Sequence, residues 1–303
     1  MTLPDTRRPL LGLTAACCSS LLGGSAVVAT RYAVAGLDPV ALAALRYGLG
    51  AIVLGVLVLL LRRATRLERR DWLAVFLLGA LFFAAFPALF SASLAYTSAA
   101  RGALALSTLP FLTLLCAAAL GREKLTALKL TGVLLALSGV SLALISGRDL
   151  AAPDGAWRGD LLMVATALLG AVFNALARPY MAKYGALGFT AWGMLFGAVL
   201  LNTIAWGEPS RHAATTLPLL AWAAIAYLGI VGAALIFYLW SLGLEHASPT
   251  QVAITVALNP VSAMTLGALL LHEPISGALP LGLAAILLGI ACANWPAPAP
   301  AKP

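Results

Sequence analysis

The stretch SAARGALALSTLPFLTLLCAAALGREKLTALKLTGVLLALSGVSLA, residues 98–143, returns 150 residues later as SPTQVAITVALNPVSAMTLGALLLHEPISGALPLGLAAILLGIACA, residues 248–293. Ser98, Ala103, Pro110, Ala118, Leu120 and Glu123 fall on Ser248, Ala253, Pro260, Ala268, Leu270 and Glu273. Gly132, Leu137, Gly139 and Ala143 fall on Gly282, Leu287, Gly289 and Ala293, with no insertion or deletion between. Each copy is an apolar run with a proline inside it, a short polar break holding a glutamate, and a second apolar run. Self-similarity at a fixed period marks a chain built of repeated structural units.

The surroundings say what such a unit is for. Of 303 residues, 62% are hydrophobic and 10% charged, with a mean hydropathy of +0.97. A soluble fold of this size lacks the interior volume for so much apolar surface and needs more charge outside. Runs of about 20 apolar residues are long enough to cross hydrocarbon. They occupy 9–30, 39–61, 72–92, 101–120 and 126–146, then 160–178, 188–206, 217–239, 249–271 and 279–294. The first two runs of each half also match: Leu22, Gly23, Arg31, Gly50 and Ala51 against Leu169, Gly170, Arg178, Gly197 and Ala198.

The expected fold is therefore an all-α polytopic membrane protein with ten transmembrane helices. Five spans per repeat is an odd number, so the halves face opposite ways, as in inverted-repeat secondary transporters. Residues 1–147 form the first five-helix repeat, 148–159 an outer linker, 160–294 the second, inverted repeat and 295–303 a disordered cytoplasmic tail. Basic residues set the orientation. Arg7, Arg8, Arg62, Arg63, Arg66, Arg69, Arg70, Arg122, Lys124, Lys129, Arg178, Lys183 and Lys302 fall on one side, against Arg31, Arg101, Arg148, Arg158 and Arg211 on the other. That asymmetry places the N- and C-termini in the cytoplasm and accounts for the net charge of +8 without nucleic acid. The first span has a partner in the second half and is expected to be retained rather than cleaved as a leader.

With those residues set out, a family resemblance can be stated. Ala95-Tyr96-Thr97-Ser98-Ala99-Ala100, Pro110 and Leu120-Gly121-Arg122-Glu123-Lys124-Leu125 resemble the EamA-like family of the drug/metabolite transporter superfamily. So do Ala44-Leu45-Arg46-Tyr47, Leu258-Asn259-Pro260 and Leu271-His272-Glu273-Pro274-Ile275-Ser276. Leu22 departs from the pattern, where the family often carries tryptophan before the glycine. The resemblance covers all ten spans and implies an exporter-type fold in a bacterial inner membrane, with a central cavity between repeats. Members of that family move amino acids, nucleotide sugars, phosphorylated sugars or cationic drugs.

Chemistry narrows the choice. Every carboxylate and histidine falls in a loop or at a helix end, whereas proton relays use mid-membrane acids; movement down the substrate's own gradient is expected. Arg46 is the one cation well inside a span, about 10 Å from the helix start, too little for sugar phosphates but enough for a carboxylate. Pro110 and Pro260 each free a carbonyl, at Leu106 and Val256, which lipid cannot satisfy. They mark helix kinks or gates, with Ser107 and Asn259 beside them. Asn174 and Asn259 are amides in hydrocarbon that need a helix partner or a cavity, and Gln251 lies nearer the surface as a gate candidate.

Phe82, Phe86 and Phe90 share a helix face, and Phe90 corresponds to Trp240, beside Phe237 and Tyr238. The candidate substrate site is thus Asn174, Asn259, Ser107, Tyr238, Trp240, Phe86, Phe90 and Arg46. It suits a neutral or zwitterionic metabolite, first of all an aromatic or apolar amino acid; other metabolites or drugs, and a non-transporting scaffold or lipid-handling role, are the alternatives. Glu123 and Glu273, put on opposite faces by inversion, read as caps of the helices that follow them. No phosphate loop, zinc motif or nucleophile elbow occurs, so the expectation is no enzyme, no cofactor and no metal. The partners are a small-molecule substrate and the lipid bilayer; a monomer fits the reading, and the residues leave the oligomeric state open.

Overall fold

The structure is a computed structural model that describes residues 7–33, 38–62, 65–94, 96, 105–145, 155–205, 217–271 and 279–294. Among these there is no strand. Helices α1 (Arg7–Ala33) and α2 (Pro39–Leu60) open the chain. Asp38 starts α2 by accepting the amides of Val40 and Ala41 at 2.8 and 3.1 Å, with Pro39 supplying the preset φ of a first helical turn.

The third rod is α3 (Trp72–Ala80), a π-turn at Leu81–Ala85, and α4 (Phe86–Leu94). Next come α5 (Leu109–Ala119), α6 (Ala127–Ile145) and α7 (Ala156–Ala205). The last rods are α8 (Leu219–Gly229), a π-turn at Ile230–Leu235 and α9 (Ile236–His246); then α10 (Pro249–Ala253), a 3₁₀ turn at Ile254–Ala257 and α11 (Leu258–Leu271); and finally α12 (Leu279–Asn294).

Among the described residues, five stretches are long and apolar enough to cross a membrane: Pro9–Ala26, Val40–Leu60, Trp72–Ser93, Ala156–Ala205 and Leu219–His246. The fourth is 50 residues, about 75 Å of helix against about 30 Å of hydrocarbon. It folds back at Gly185, whose φ of 72° and ψ of 153° break the helix. A side chain there would be strained, so the corner needs its glycine. The sequence reading placed this break between 178 and 188; helix in fact runs through Pro179.

The two repeats meet through glycines. A Cβ on Gly139 would stand 2.7 Å from the carbonyl oxygen of Gly282, and one on Gly289 2.6 Å from that of Gly132. Residue 132 faces 289 while 139 faces 282, so α6 and α12 run antiparallel. Because 132 corresponds to 282 and 139 to 289, the contact is reciprocal, as a two-fold axis requires. The pair Gly193 and Gly197, read from sequence as a close-packing motif, receives Phe83, and a Cβ on Gly79 would lie 2.6 Å from the Gly193 oxygen.

The main core joins α1, α2, α3, α7 and α9 around Phe83, Phe173, Phe189 and Leu244, each fully buried. A second cluster joins α6 and α12 to the 3₁₀ turn.

Candidate functional site

The two π-turns stand at matching places, 81–85 and 230–235, and each widens the helix so that a main-chain carbonyl leaves its ordinary partner. In the second, the carbonyl of Gly232 accepts a hydrogen bond from Nη2 of Arg46. The Arg46 guanidinium carbon sits 5.4 Å from the ring centre of Tyr47. Its Nε is buried and without a partner. Such an atom costs free energy unless something comes to accept from it. Arg46 is half-buried and reaches towards α1: a Cβ at Gly232 would meet Arg46 at 3.4 Å and Ala26 at 3.5 Å.

One turn back along α1, Gly23 lies under Asn259, whose Oδ1 would be 2.8 Å from a Cβ on that glycine. That oxygen is also buried and unpartnered. A lone donor and a lone acceptor thus border the same turn of α1, Gly23 to Ala26. Hydroxyls tie α1 to its neighbours here: Ser20 to Thr255 at 2.9 Å, Thr255 to the Ala16 carbonyl at 3.3 Å, and Ser25 to Tyr227 at 2.5 Å.

Other predicted residues have different occupations. Asn174 is fully buried; its Oδ1 accepts from Trp240 Nε1 at 3.0 Å and its Nδ2 donates to Thr113 at 3.4 Å. Both ends of the amide are used between helices, so Asn174 and Trp240 act as interhelical bonding groups. Gln251 forms a capping box with Ser248, accepting the Ser248 amide at 3.0 Å and donating its own amide to the Ser248 hydroxyl at 3.4 Å. The residue expected as a gate thus helps cap the start of α10.

Each proline stands just past a tightened turn of its rod. Pro110 stands at the second position of α5, after a turn closed by Thr108 N to Ala105 O at 3.2 Å. Pro260 follows the 3₁₀ turn Ile254–Ala257. In both repeats the chain tightens before the proline, where its ring would clash with the carbonyl four residues earlier.

Phe82 stacks on Phe173 at 3.9 Å and 10° and meets Phe237 edge-on at 5.4 Å. Phe82, Phe83, Phe173 and Phe237 are all buried, so this part of the aromatic stripe is a packed plug. Phe86 and Phe90, ring planes 7° apart, stay half-buried with Tyr238, while Ser107 is buried beside α5.

Long-range bonds close one end of the molecule. Glu123 Oε1 accepts the amide of Thr250 at 3.1 Å, and its Oε2 holds Lys129 Nζ at 2.9 Å. It therefore caps α10 of the other repeat, not the helix that follows it, which Thr126 caps. Burial pushes its carboxyl up, but Lys129 and the Thr250 contacts outweigh this and hold it below its usual range. Glu273, its counterpart, lies outside the described residues. At the same end Lys183 pairs with Asp71 at 2.6 Å and Glu68 at 2.8 Å, and Tyr184 donates to Asp71 at 2.6 Å. The hydrogen bond from Lys183 keeps both acids low. Glu245 accepts the amide of Ala186 at 2.7 Å, just past the Gly185 corner.

Two recesses of similar size occur among the described residues. One, about 320 Å³, lies between α2, α7 and α8 near Gly48, Asn202 and Trp222. The other, about 310 Å³, is at the closed end, lined by Arg122, Arg178 and Pro249 among others. Neither is lined by a residue of the predicted substrate site. The cross-repeat bonds and the recess at the closed end escaped the sequence reading; an acid in a short loop between apolar runs was their only signal.

Known proteins agree with this architecture. The model of the EamA-like transporter family matches residues 10–145 and again 157–295, one match per repeat. An uncharacterized protein of Pseudomonas aeruginosa is 32% identical over 95% of both chains. The uncharacterized transporter YyaM of Bacillus subtilis is 24% identical over 91% of this chain and 90% of its own. A probable terminal-alkyne amino-acid exporter of Streptantibioticus cattleyicolor is 27% identical over 75% of this chain and 73% of its own. A protein solved by crystallography shares the fold with a TM-score of 0.78, covering 96% of this chain and 98% of that one at 24% identity. Two matched halves, apolar spans and a reciprocal helix contact agree: the chain is a membrane protein and belongs to the EamA-like transporter family.

Proposed function

We propose that the protein is a secondary exporter of small zwitterionic metabolites, first of all amino acids with apolar or aromatic side chains. It would work as ten spans in two inverted five-helix repeats, with both termini in the cytoplasm of a bacterial inner membrane. The observation that carries this reading is the pair of unpartnered buried atoms at one turn of α1, Arg46 Nε and Asn259 Oδ1. A donor on a cation and an amide acceptor complement a carboxylate and an ammonium respectively. Phe86, Phe90 and Tyr238, half-buried, supply apolar surface for the side chain, and Ser107 lies on the same rod as the first proline. The S. cattleyicolor relative, named for amino-acid export, supports the substrate class.

The bonds at Glu123 and Lys183 shut one end, and the aromatic plug fills the path above it. Alternating access then consists of breaking those bonds while the other end closes. No acid among the described residues stands beside the Arg46–Asn259 turn, which supports movement down the substrate's own gradient. The test is counterflow of a labelled amino-acid panel by purified protein in liposomes. Phenylalanine- and leucine-class substrates are expected to exchange, without response to a collapsed pH gradient at fixed substrate gradient. Arg46→Gln and Asn259→Ala are each expected to lose exchange. Normal exchange by both variants, or none of any amino acid by the wild type, overturns the reading.

A further inference from the structure

The recess at the closed end has its own chemistry. It is built from both repeats: Gly121 and Arg122 follow α5, while Arg178 and Pro179 belong to the first arm of α7 and Pro249 begins α10. Its volume is about 310 Å³, its walls are otherwise Ala175 and Ala182, and among the described residues Arg122 and Arg178 are the only charged ones lining it. Both arginines are exposed, and neither is paired with a carboxylate among the described residues.

The acids of this end are already committed: Glu123 to Lys129 and Thr250, Asp71 and Glu68 to Lys183, Glu245 to the Ala186 amide. Lys129 and Lys183 have their counter-charges, whereas Arg122 and Arg178, distant in sequence, share one recess without any. Guanidinium forks suit phosphate oxygens in two-point contact. Basic pockets between spanning helices at a membrane surface take phospholipid headgroups.

The geometry points to a phosphate-binding site at Arg122 and Arg178, taking a phosphomonoester or phosphodiester group. Arg122 and Gly121 adjoin Glu123, and Pro249 adjoins Thr250, so the site is bounded by the two partners of the cross-repeat bond. It exists in full only while that bond is made. A ligand bound there stabilises the closed end, and closing that end raises the ligand's affinity by the same factor. The site is separate from the Arg46–Asn259 turn, and its test reads binding rather than transport. It can therefore fail or succeed independently of the proposed substrate.

The whole protein is placed in phosphatidylcholine nanodiscs, with or without phosphatidylglycerol, and in a third arm with inorganic phosphate added to phosphatidylcholine. Retained lipid is counted by native mass spectrometry, and the unfolding midpoint is measured. The wild type is expected to retain phosphatidylglycerol and to unfold at higher temperature with it. Arg122→Gln with Arg178→Gln is expected to weaken that binding roughly 25-fold, about fivefold per arginine. Arg178→Lys, which keeps the charge, stays within a few-fold. Arg66→Gln with Arg69→Gln removes equal charge from exposed positions outside the recess and leaves binding unchanged.

A midpoint rise with inorganic phosphate, abolished by the same recess pair, supports the site with a soluble phosphate as its source; a response to phosphatidylglycerol alone assigns it to lipid. No response in either arm, an unaffected recess pair, or an equal loss in the Arg66/Arg69 pair overturns the proposal.

Discussion

The π-turn at 81–85 and the π-turn at 230–235 are the same deformation at matching places, held by different means. In the first repeat Pro87 follows two residues after it. It has no N–H to offer the carbonyl of Phe83 and its ring crowds that carbonyl, so the helix must widen. In the second repeat the matching residue is Phe237, which imposes nothing. There a guanidinium from α2 takes up the carbonyl of Gly232. A proline ring is a finished solution, with no atom left over. Arg46 leaves Nε unsatisfied and places a charge inside the α2 span. The copies have therefore diverged where one has a structural kink and the other a kink with spare binding capacity. At α6 and α12 they have not diverged, and each glycine does the same work in its own half.

The largest expected effect tests that sameness. Gly139→Leu and Gly289→Leu each push a side chain into the backbone of the opposing helix, 2.7 and 2.6 Å from where its Cβ would begin. Overpacking without room to relax costs about 3 kcal/mol. If the contact is reciprocal, the two variants lose equal stability in thermal unfolding in detergent. A loss confined to one of them breaks the two-fold relation.

The second effect tests the divergence. Arg46→Ala removes the charged hydrogen bond to Gly232 O, worth about 2 kcal/mol. Exchange in liposomes should vanish as well. Arg46→Lys can still donate to Gly232 but has no Nε to offer, so it should recover much of the stability and little of the exchange. Equal recovery of both would reduce Arg46 to a structural group, no different in kind from Pro87.

How far these features could be read from the chain depends on sequence distance. The glycines were legible as matched positions at the 150-residue offset, but that they pack on one another, antiparallel and reciprocally, appears only in the fold. The polar atoms near the prolines were legible as expensive groups in hydrocarbon, though Asn174 and Asn259 looked equivalent. Only the positions of Trp240 and Thr113 show that the first is satisfied and the second is not. The π-turn at 230–235 has no local signature, since Ile230 to Leu235 would equally make ordinary helix. Its support comes from residue 46. Glu123 was read as the cap of the helix beside it, because a capping rule sees neighbours in sequence. The amide it serves, Thr250, is in the other repeat.

That cross-repeat bond gives the third effect. Glu123 is only 3% exposed at its side chain, so Glu123→Ala strands Lys129 and uncovers the Thr250 amide, a loss of about 1.5 kcal/mol. Its carboxyl titrates below the usual range. The bond's contribution is thus fully present above the ordinary carboxylate value of about 4.3. It is lost as pH falls through the lower, folded value. The difference between wild type and variant should stay flat from neutrality to about pH 5 and shrink only in stronger acid. Lys183 with Asp71 and Glu68, which is more exposed, should instead respond to salt. A steady decline of the Glu123 difference between pH 7 and 5 would show that the carboxylate is not held low.

The smallest effect returns to the first π-turn. Pro87 is buried, and the widened turn before it is packed by Phe82 and Phe83 against Phe173, Phe237 and the Gly193–Gly197 face. Once those rings are seated, the turn no longer depends on the proline that prompted it. Restoring an N–H with Pro87→Ala gains a helix-forming residue and loses a little packing, and the two nearly cancel, to within about 1 kcal/mol. Exchange should remain close to that of the wild type. Arg46→Ala and Pro87→Ala then differ in kind, because one removes an atom that faces the proposed substrate and the other removes a constraint the core already enforces. Should Pro87→Ala instead abolish exchange while leaving stability intact, the first repeat's bend would be a working hinge. The asymmetry between the two turns would then lie in how they move rather than in what they bind.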